Sequence, residues 1–446
     1  MGSWNFKRLI AASVVMLFVW SLSGILLLRL NMEPAPEANS APASSIRVLI
    51  RTGTESSALR KLVEPIRQET GIGVEMIELG REGYFTYVGT QLLSGSDTFD
   101  IVFLPNTWIA QFAANKAIVP LDEYIAEAMR RDPVSFDLDD FLAISVYNGE
   151  IFALPTDIST HFLYYRSDLI PEPPETWDDV YEIAERHSAF VRTDSPTKWG
   201  LAMPGVVPEE RTKIFASLLW SFGGDFLDEG GGTVLLDSDA SIRSGEYLAR
   251  LVRERLVPGD LLSWDFIRTR DALLAGEIAM AAPYWNAAYT AIRQSDSPYR
   301  DVIKIALLPG VRQSDGTVRR VPFQHSWTMA INASSRNKEA AWTFLEFITG
   351  KRGGMMYAEA GGVPARRSLL GHPDLQSKRP EFPLVLESME MAESEPSVPY
   401  YPAMVSIVEQ ALAKTVTLYD DPRQAFLAAA TELRRISMRA GKQTGG

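Results

Sequence analysis

The residues of this 446-residue chain that could do chemistry are aromatic rather than nucleophilic. Trp108 follows Leu104 and Pro105, Tyr284 and Trp285 follow Ala282 and Pro283, and Trp327 follows His325. Each stands beside the end of a short apolar run, not inside a long one. An indole at a strand's carboxyl end offers a flat apolar face to a bound ring and one N–H to donate. A sugar needs that mixture of a stacking surface and nearby directed polar groups. The competing reading is that these rings fill the core beside their loops, and it is the reading adopted for Trp177, which directly precedes a helix.

Polar residues near such a site are fewer. Asp157 follows Ala153-Leu154-Pro155-Thr156 and precedes a strand, where a carboxylate could accept from sugar hydroxyls or pair with a cationic solute. A cap or a surface loop explains it equally well. Arg366 and Arg367 follow Gly361-Gly362-Val363-Pro364 and place donors beside a tight turn, from which one could reach a cleft. Catalytic signatures are lacking. The four histidines are isolated, there is no cysteine, and no nucleophile elbow, phosphate-cradling loop or dinucleotide glycine run occurs. No catalytic residue, cofactor or metal ligand is therefore assigned. A carboxylate pair for glycoside hydrolysis is assembled only in space, which keeps a glycan-active enzyme among the alternatives.

The elements that must position these residues alternate between strand and helix. Residues 46–50 read as a strand, and Leu59, Leu62, Val63 and Ile66 then recur at helical spacing. A second strand over 74–79, a helix carrying Tyr84, Val88 and Leu92, and a strand over 101–104 complete a parallel α/β pattern. Ligand-facing loops of such a sheet lie at the carboxyl ends of its strands. Further strands are expected at 162–165, 278–282, 302–307 and 327–331. Helices are expected from Thr176, an N-cap followed by Asp178 and Asp179, over 214–222, 242–252 and 340–348, and from 404 to about 438. No repeat period emerges, and the length favours more than one lobe.

The N-terminus reads as an export address. Lys7 and Arg8 precede an uncharged apolar run from 9 to 28, long enough to span a bilayer core at about 1.5 Å per residue. The basic side stays in the cytoplasm and the rest is exported. The run either remains as an inner-membrane anchor or is removed as a signal. Residues 31–45 are a Pro/Ala/Ser-rich tether. Beyond it lies a body with 44 basic and 56 acidic residues over the whole chain, a net charge of −12 that argues against nucleic-acid binding.

The order of several short motifs resembles one family. They are Asp100-Ile101-Val102-Phe103, Gly149-Glu150-Ile151-Phe152-Ala153-Leu154-Pro155 and Tyr164-Tyr165-Arg166-Ser167-Asp168-Leu169. After them come Pro174-Glu175-Thr176-Trp177-Asp178-Asp179, Gly276-Glu277-Ile278-Ala279-Met280, Leu308-Pro309-Gly310, Ala341-Trp342-Thr343-Phe344-Leu345 and Gly361-Gly362-Val363-Pro364. Each is weak alone. In this order, from residue 46 to about 438, they resemble the solute-binding proteins of bacterial ABC importers, in the branch with the maltose- and trehalose-binding proteins.

That resemblance implies a two-lobed α/β periplasmic-binding-protein fold with a ligand cleft and three interlobe crossings, near 154–156, 280–283 and 323–329. It divides the chain into a signal or anchor (1–30), tether (31–45), lobe 1 (46–155 and 283–325) and lobe 2 (156–282 and 326–446). It implies a ligand site with Trp285 as a stacking face, Tyr284 beside it where many relatives lack the added Tyr, and Trp108, Glu55 of the Thr54–Glu55 loop and Asp157 around it; Trp327 and Arg366 stay candidates from their own positions. The implied activity is capture of a small polar solute, a mono- or oligosaccharide, by a monomeric body that delivers it to the permease subunits. A membrane-anchored sensor and a binder of a polyamine or other non-sugar solute remain as alternatives.

Overall fold

The computed structural model describes residues 44–80, 82–134, 136–228 and 231–444. The expected anchor over 9–28 and most of the tether lie outside these residues. Among the described residues no helix is long and apolar enough to cross a membrane.

The chain opens as the alternation predicts, with β1 (Ser44–Arg51), α1 (Thr54–Thr70), β2 (Ile72–Leu79), α2 (Tyr84–Leu93) and β3 (Ile101–Pro105). Next come β4 (Ala153–Arg166), α3 (Trp177–Arg186), β5 (Trp199–Ala202), α4 (Pro208–Ser221), α5 (Asp239–Arg253), β6 (Ile278–Trp285), β7 (Ile303–Leu307) and β8 (Gln324–Ile331). Helices α6 (Lys338–Thr349), α7 (Lys351–Ala360), α8 (Tyr401–Val416) and α9 (Pro422–Thr444) follow. α3 starts at Thr176 because the Thr176 hydroxyl accepts from the Asp179 amide while the Asp179 carboxylate accepts from the Thr176 amide.

One sheet runs in the order β2-β1-β3-β8-β4-β6-β5, with β7 also paired to β4. β1 is parallel to β2 and β3, and β8 is antiparallel to β3 and β4. β4 is the longest strand. Its residues 153–160 pair with β8, and its residues 161–166 pair with β6 and β7.

Apolar cores form on either side of this handover. Ile46, Phe103, Leu154, Met329, Trp342 and Phe344 belong to one body, closed by Leu49, Tyr84, Phe112 and Ala153. Leu163, Trp177, Trp220, Met280, Phe323 and Leu412 belong to the other, together with Phe162, Ile303, Leu370 and Phe382. The chain therefore passes between bodies at about 155–157, 325–327 and 357–363. This corrects the expected lobe boundaries. Residues 283–325 were expected in lobe 1, but β7 pairs with Phe162–Arg166 of β4, and Ala288, Ile292 and Ile303 pack in the second body. Residues 327–357, expected in lobe 2, pack on β1 and β3 in the first. Apolar runs fix where strands lie but not which edge each strand joins.

Close packing of helix on strand depends on one glycine. A Cβ on Gly200 of β5 would lie 2.1 Å from the Ala184 carbonyl oxygen of α3. Gly200→Ala should cost at least the ordinary overpacking penalty of about 1–3 kcal/mol, because the colliding atoms are backbone and cannot rotate away. Urea unfolding checks this; an unchanged midpoint would contradict the packing of α3 on β5.

Candidate ligand-binding site

Side chains two apart on a strand share one face. On β4 that rule groups Asp157, Ser159 and His161. The register sets Asp157 opposite Trp327 and Ser159 opposite His325 on β8, and His161 opposite Trp285 on β6. A single sheet face thus carries two indoles and two imidazoles across the junction of the bodies.

The rings touch in sequence. Trp327 stacks on Phe103 with centroids 4.9 Å apart, and the Arg51 guanidinium lies 4.0 Å from the Trp327 ring centre. His325 meets Trp327 edge-on at 5.3 Å and Trp285 at 6.0 Å, and His161 meets Trp285 at 4.2 Å. Trp108, just past the end of β3, stacks on Phe85 at 4.8 Å and packs against the cores of both bodies. Trp285 and Trp108 stay partly exposed, whereas Trp327 is 9% exposed. Held between Phe103 and Arg51, Trp327 is the floor on which the other rings stand.

Polar groups ring this floor. Arg51 donates to Glu55 Oε1 at 2.7 Å, and the Trp285 indole N–H donates to Glu210 Oε1 at 2.9 Å. From the second body, Lys213 donates to Glu209 at 2.7 Å, and Tyr401 donates to Glu395 Oε2 at 2.7 Å. Several polar atoms here are buried without a partner. Those of the first body are Arg51 Nε, Glu55 Oε2 and Trp108 Nε1; the hinge contributes His325 Nδ1, and the second body His161 Nε2, Glu395 Oε1 and Tyr400 Oη. A buried donor or acceptor left unmatched costs about 1–3 kcal/mol, so native folds keep few of them.

Burial also sets the charge states. It lowers His161 to about 3, helped by the Lys213 charge, and drives His325 well below the usual histidine range, with Lys213, Arg51 and His161 adding to the effect. Both rings are neutral at pH 7, and His161 Nδ1 lies 2.9 Å from Ser217 Oγ. Burial raises Glu395 to about 8 against the opposing Lys213 charge and the Tyr401 hydrogen bond. A protonated Glu395 can donate as well as accept. The face therefore offers rings, N–H donors and carboxyl oxygens with little unbalanced charge. Among the described residues no cluster of three or more His, Asp or Glu side chains is placed to hold a metal.

Of the residues singled out in the sequence, the fold brings together Trp285, Trp108, Trp327, Asp157 and Glu55. Two are placed elsewhere. Tyr284 follows the strand alternation to the opposite face, fully buried, where its hydroxyl donates to the Phe266 carbonyl at 2.6 Å. Arg366 is buried as well. Its Nε donates to the Thr349 carbonyl at 2.6 Å, its Nη1 donates to the Asp137 carbonyl at 2.9 Å and pairs with Asp140, and its guanidinium lies on Phe141. Arg367 bonds the Asp139 and Phe141 carbonyls beside it. Sequence reasoning passed over Arg51, His161, His325, Glu210 and Glu395. Alternation along 323–327 and 157–161 was the signal for the histidines.

Comparison with known proteins adds a family. The profile described as Bacterial extracellular solute-binding protein matches residues 52–355. The chain is 26% identical over 416 residues to a probable amino-acid ABC transporter periplasmic-binding protein of Sinorhizobium fredii, covering 89% of this chain and 88% of that one. Its fold is similar to the maltose-bound MalE3 of T. maritima, with a TM-score of 0.75 and 26% identity, over 88% of this chain and 100% of that one. A ribitol complex of an ABC transporter solute-binding protein from Agrobacterium radiobacter gives 0.74 at 22% identity, over 88% and 99%.

The buried Arg366 gives a direct test of the site's limits. Arg366→Ala leaves Asp140 buried without its cation and should cost about 3–5 kcal/mol of folding stability. Chemical unfolding measures it. A loss below about 1 kcal/mol would return Arg366 to the list of candidate ligand contacts.

Proposed function

The chain belongs to the bacterial extracellular solute-binding proteins, and from that membership we propose that it captures a small polyhydroxylated solute for an ABC importer. The solute is a saccharide or a sugar alcohol, held between the two bodies and passed unchanged to the permease. One observation carries this reading. Partly exposed indoles and buried, unpartnered donors and acceptors are contributed by both bodies, and a hydroxylated ring can answer both at once.

Trp285 gives the stacking surface, its indole N–H fixed by Glu210. Trp108 closes from the first body, with Glu55 and Glu395 as acceptors. Trp327 supports them from beneath. The name of the Sinorhizobium relative raises an amino acid as the second reading. A free amino acid brings a carboxylate and an ammonium, but Arg51 is already balanced by Glu55 and Lys213 by Glu209. The face suits a neutral solute better. The body acts as a monomer, performs no chemistry on its solute and has no affinity for nucleic acid. The run over 9–28 directs export and, where retained, keeps the body beside its permease at high local concentration.

Calorimetry against mono- and disaccharides, sugar alcohols, amino acids and polyamines tests the solute class. Binding is expected from the first two groups; binding confined to amino acids or polyamines would overturn it. Trp285→Ala should weaken the bound saccharide about 5–150-fold, the equivalent of about 1–3 kcal/mol by analogy with base stacking. Unchanged affinity in a folded Trp285→Ala protein would remove Trp285 from the site. Labelled-solute uptake that persists when the chain is deleted and the permease kept would favour a sensor instead.

A further inference from the structure

The three crossings between the bodies meet at one carboxyl group. Asp157 lies on β4 opposite Trp327, and the neighbouring Thr156 hydroxyl donates to the Trp327 carbonyl at 3.1 Å, which ties the first crossing to the second. Asp157 Oδ2 accepts the Tyr357 phenol at 2.9 Å and the Val363 amide at 2.9 Å. The Ile158 amide donates to the Val363 carbonyl at 3.0 Å, so the first and third crossings also run side by side. Gly362 lets the third crossing lie flush on Tyr357, since a Cβ there would sit 2.0 Å from the ring. Asp157 is 5% exposed. Its Oδ2 is committed to the hinge.

We propose that Asp157 is the positioning residue that sets the balance between open and closed arrangements of the two bodies, and that its carboxyl takes up a proton as they close. The inference rests on the two-body capture described above. Asp157 is enclosed by both bodies: Tyr357 and Glu55 come from the first, Ile158 and the segment beginning at Val363 from the second. Its charged surroundings are mixed. Glu55 at the start of α1 is the like charge that acts on it, and Arg51 of β1 is bonded to Glu55. Arg379 is the opposing charge; it donates to the Gly362 carbonyl at 3.2 Å and pairs with Glu381. Tyr357 is the remaining titratable neighbour, and burial holds its phenol protonated. His325 and His161 on the same face are neutral throughout the range that matters.

With both bodies enclosing it as described, burial raises the Asp157 carboxyl to about 7, with Glu55 adding to the rise and the Val363, Tyr357 and Arg379 interactions opposing it. Water admitted by opening returns the group toward the ordinary carboxylate value of about 4. The closed form then holds the proton more tightly. Closure is favoured below about 7, and that advantage is lost as pH rises through about 7. Between pH 8 and pH 6 the closed-to-open ratio should rise about tenfold.

The chain has no cysteine, so two introduced thiols can be labelled cleanly. Glu127→Cys in the first body and Asp194→Cys in the second are both at exposed positions. Spin-label distances in the full chain, without solute, report closure as a function of pH alone. The parent should shift toward the short distance at pH 6, by about tenfold in population ratio. Asp157→Asn should show no shift, and Glu55→Gln should keep the shift with its midpoint moved to lower pH. Each of these is read in a Glu395→Gln background, which takes the other raised carboxyl out of the same pH range; in Glu395→Gln alone the shift is expected to persist. Distances identical at pH 6 and 8, a shift surviving in Asp157→Asn, or a shift lost in Glu395→Gln would each overturn the proposal. If Asp157→Asn does not fold, an unmoved midpoint in Glu55→Gln does so. No solute enters this experiment, so a failure of the saccharide assignment appears in calorimetry and not here.

Discussion

The fourteen residues of β4 pair with β8 over one stretch and with β6 and β7 over the next. A strand has two edges and two faces, and this one uses all of them. Its first stretch contributes Leu154 to one core and its second contributes Leu163 and Tyr165 to another, so neither body can be assembled without it. The face at the handover is covered from both bodies, and most of its side chains are buried. Side chains placed there, Asp157, Ser159 and His161, meet those of the neighbouring strands. The location of the site is a consequence of sharing one strand between two bodies.

That location exacts an electrostatic penalty, and the residues present limit it. Imidazoles at His161 and His325 are kept neutral, Glu395 is raised to about 8, and Arg51 is balanced by Glu55. Formal charges that survive burial are paired, and polar atoms that remain unmatched belong to groups able to exchange hydrogen bonds with hydroxyls. Isolated buried charges cost several kcal/mol each. An uncharged but hydrogen-bonding lining is the cheaper solution, and on the proposed reading it suits solutes with the same character.

Much of the fold was legible in the sequence because periodicity reports burial. β1, β3, β7 and the helix begun by Thr176 lie where alternation and capping put them. Strand partnership was not legible: residues 283–325 have the same texture whether they join β3 or β4, and only pairing of Ile303 with Arg166 decides it. The site divides in the same way. Trp285 and Trp108, singled out from their place at segment ends, stay partly exposed at the junction. Tyr284, one residue away, was drawn in with them although a strand sends neighbours to opposite faces. Arg366 looked free beside a glycine turn because its partners, Thr349 and Asp137, are distant in sequence. Arg51 and Glu395 carry no local mark, since their role follows from a junction formed by residues hundreds of positions apart.

Hinge and lining are linked through the same atoms. A solute closes a two-body protein only to the extent that it binds the closed form better than the open one. Contacts to Trp285 alone would add equally to both forms and shift nothing. On the proposed reading, discrimination falls to groups contributed by opposite bodies, Trp108 and Glu55 from the first and Glu395 and Tyr400 from the second. Affinity is therefore the sum of a face that grips and a hinge that permits gripping, and a substitution at Asp157 can alter it without touching the solute. For a solute of a given size, ring stacking sets how tightly it is held in either form, while the paired polar groups at the junction set how completely it is enclosed.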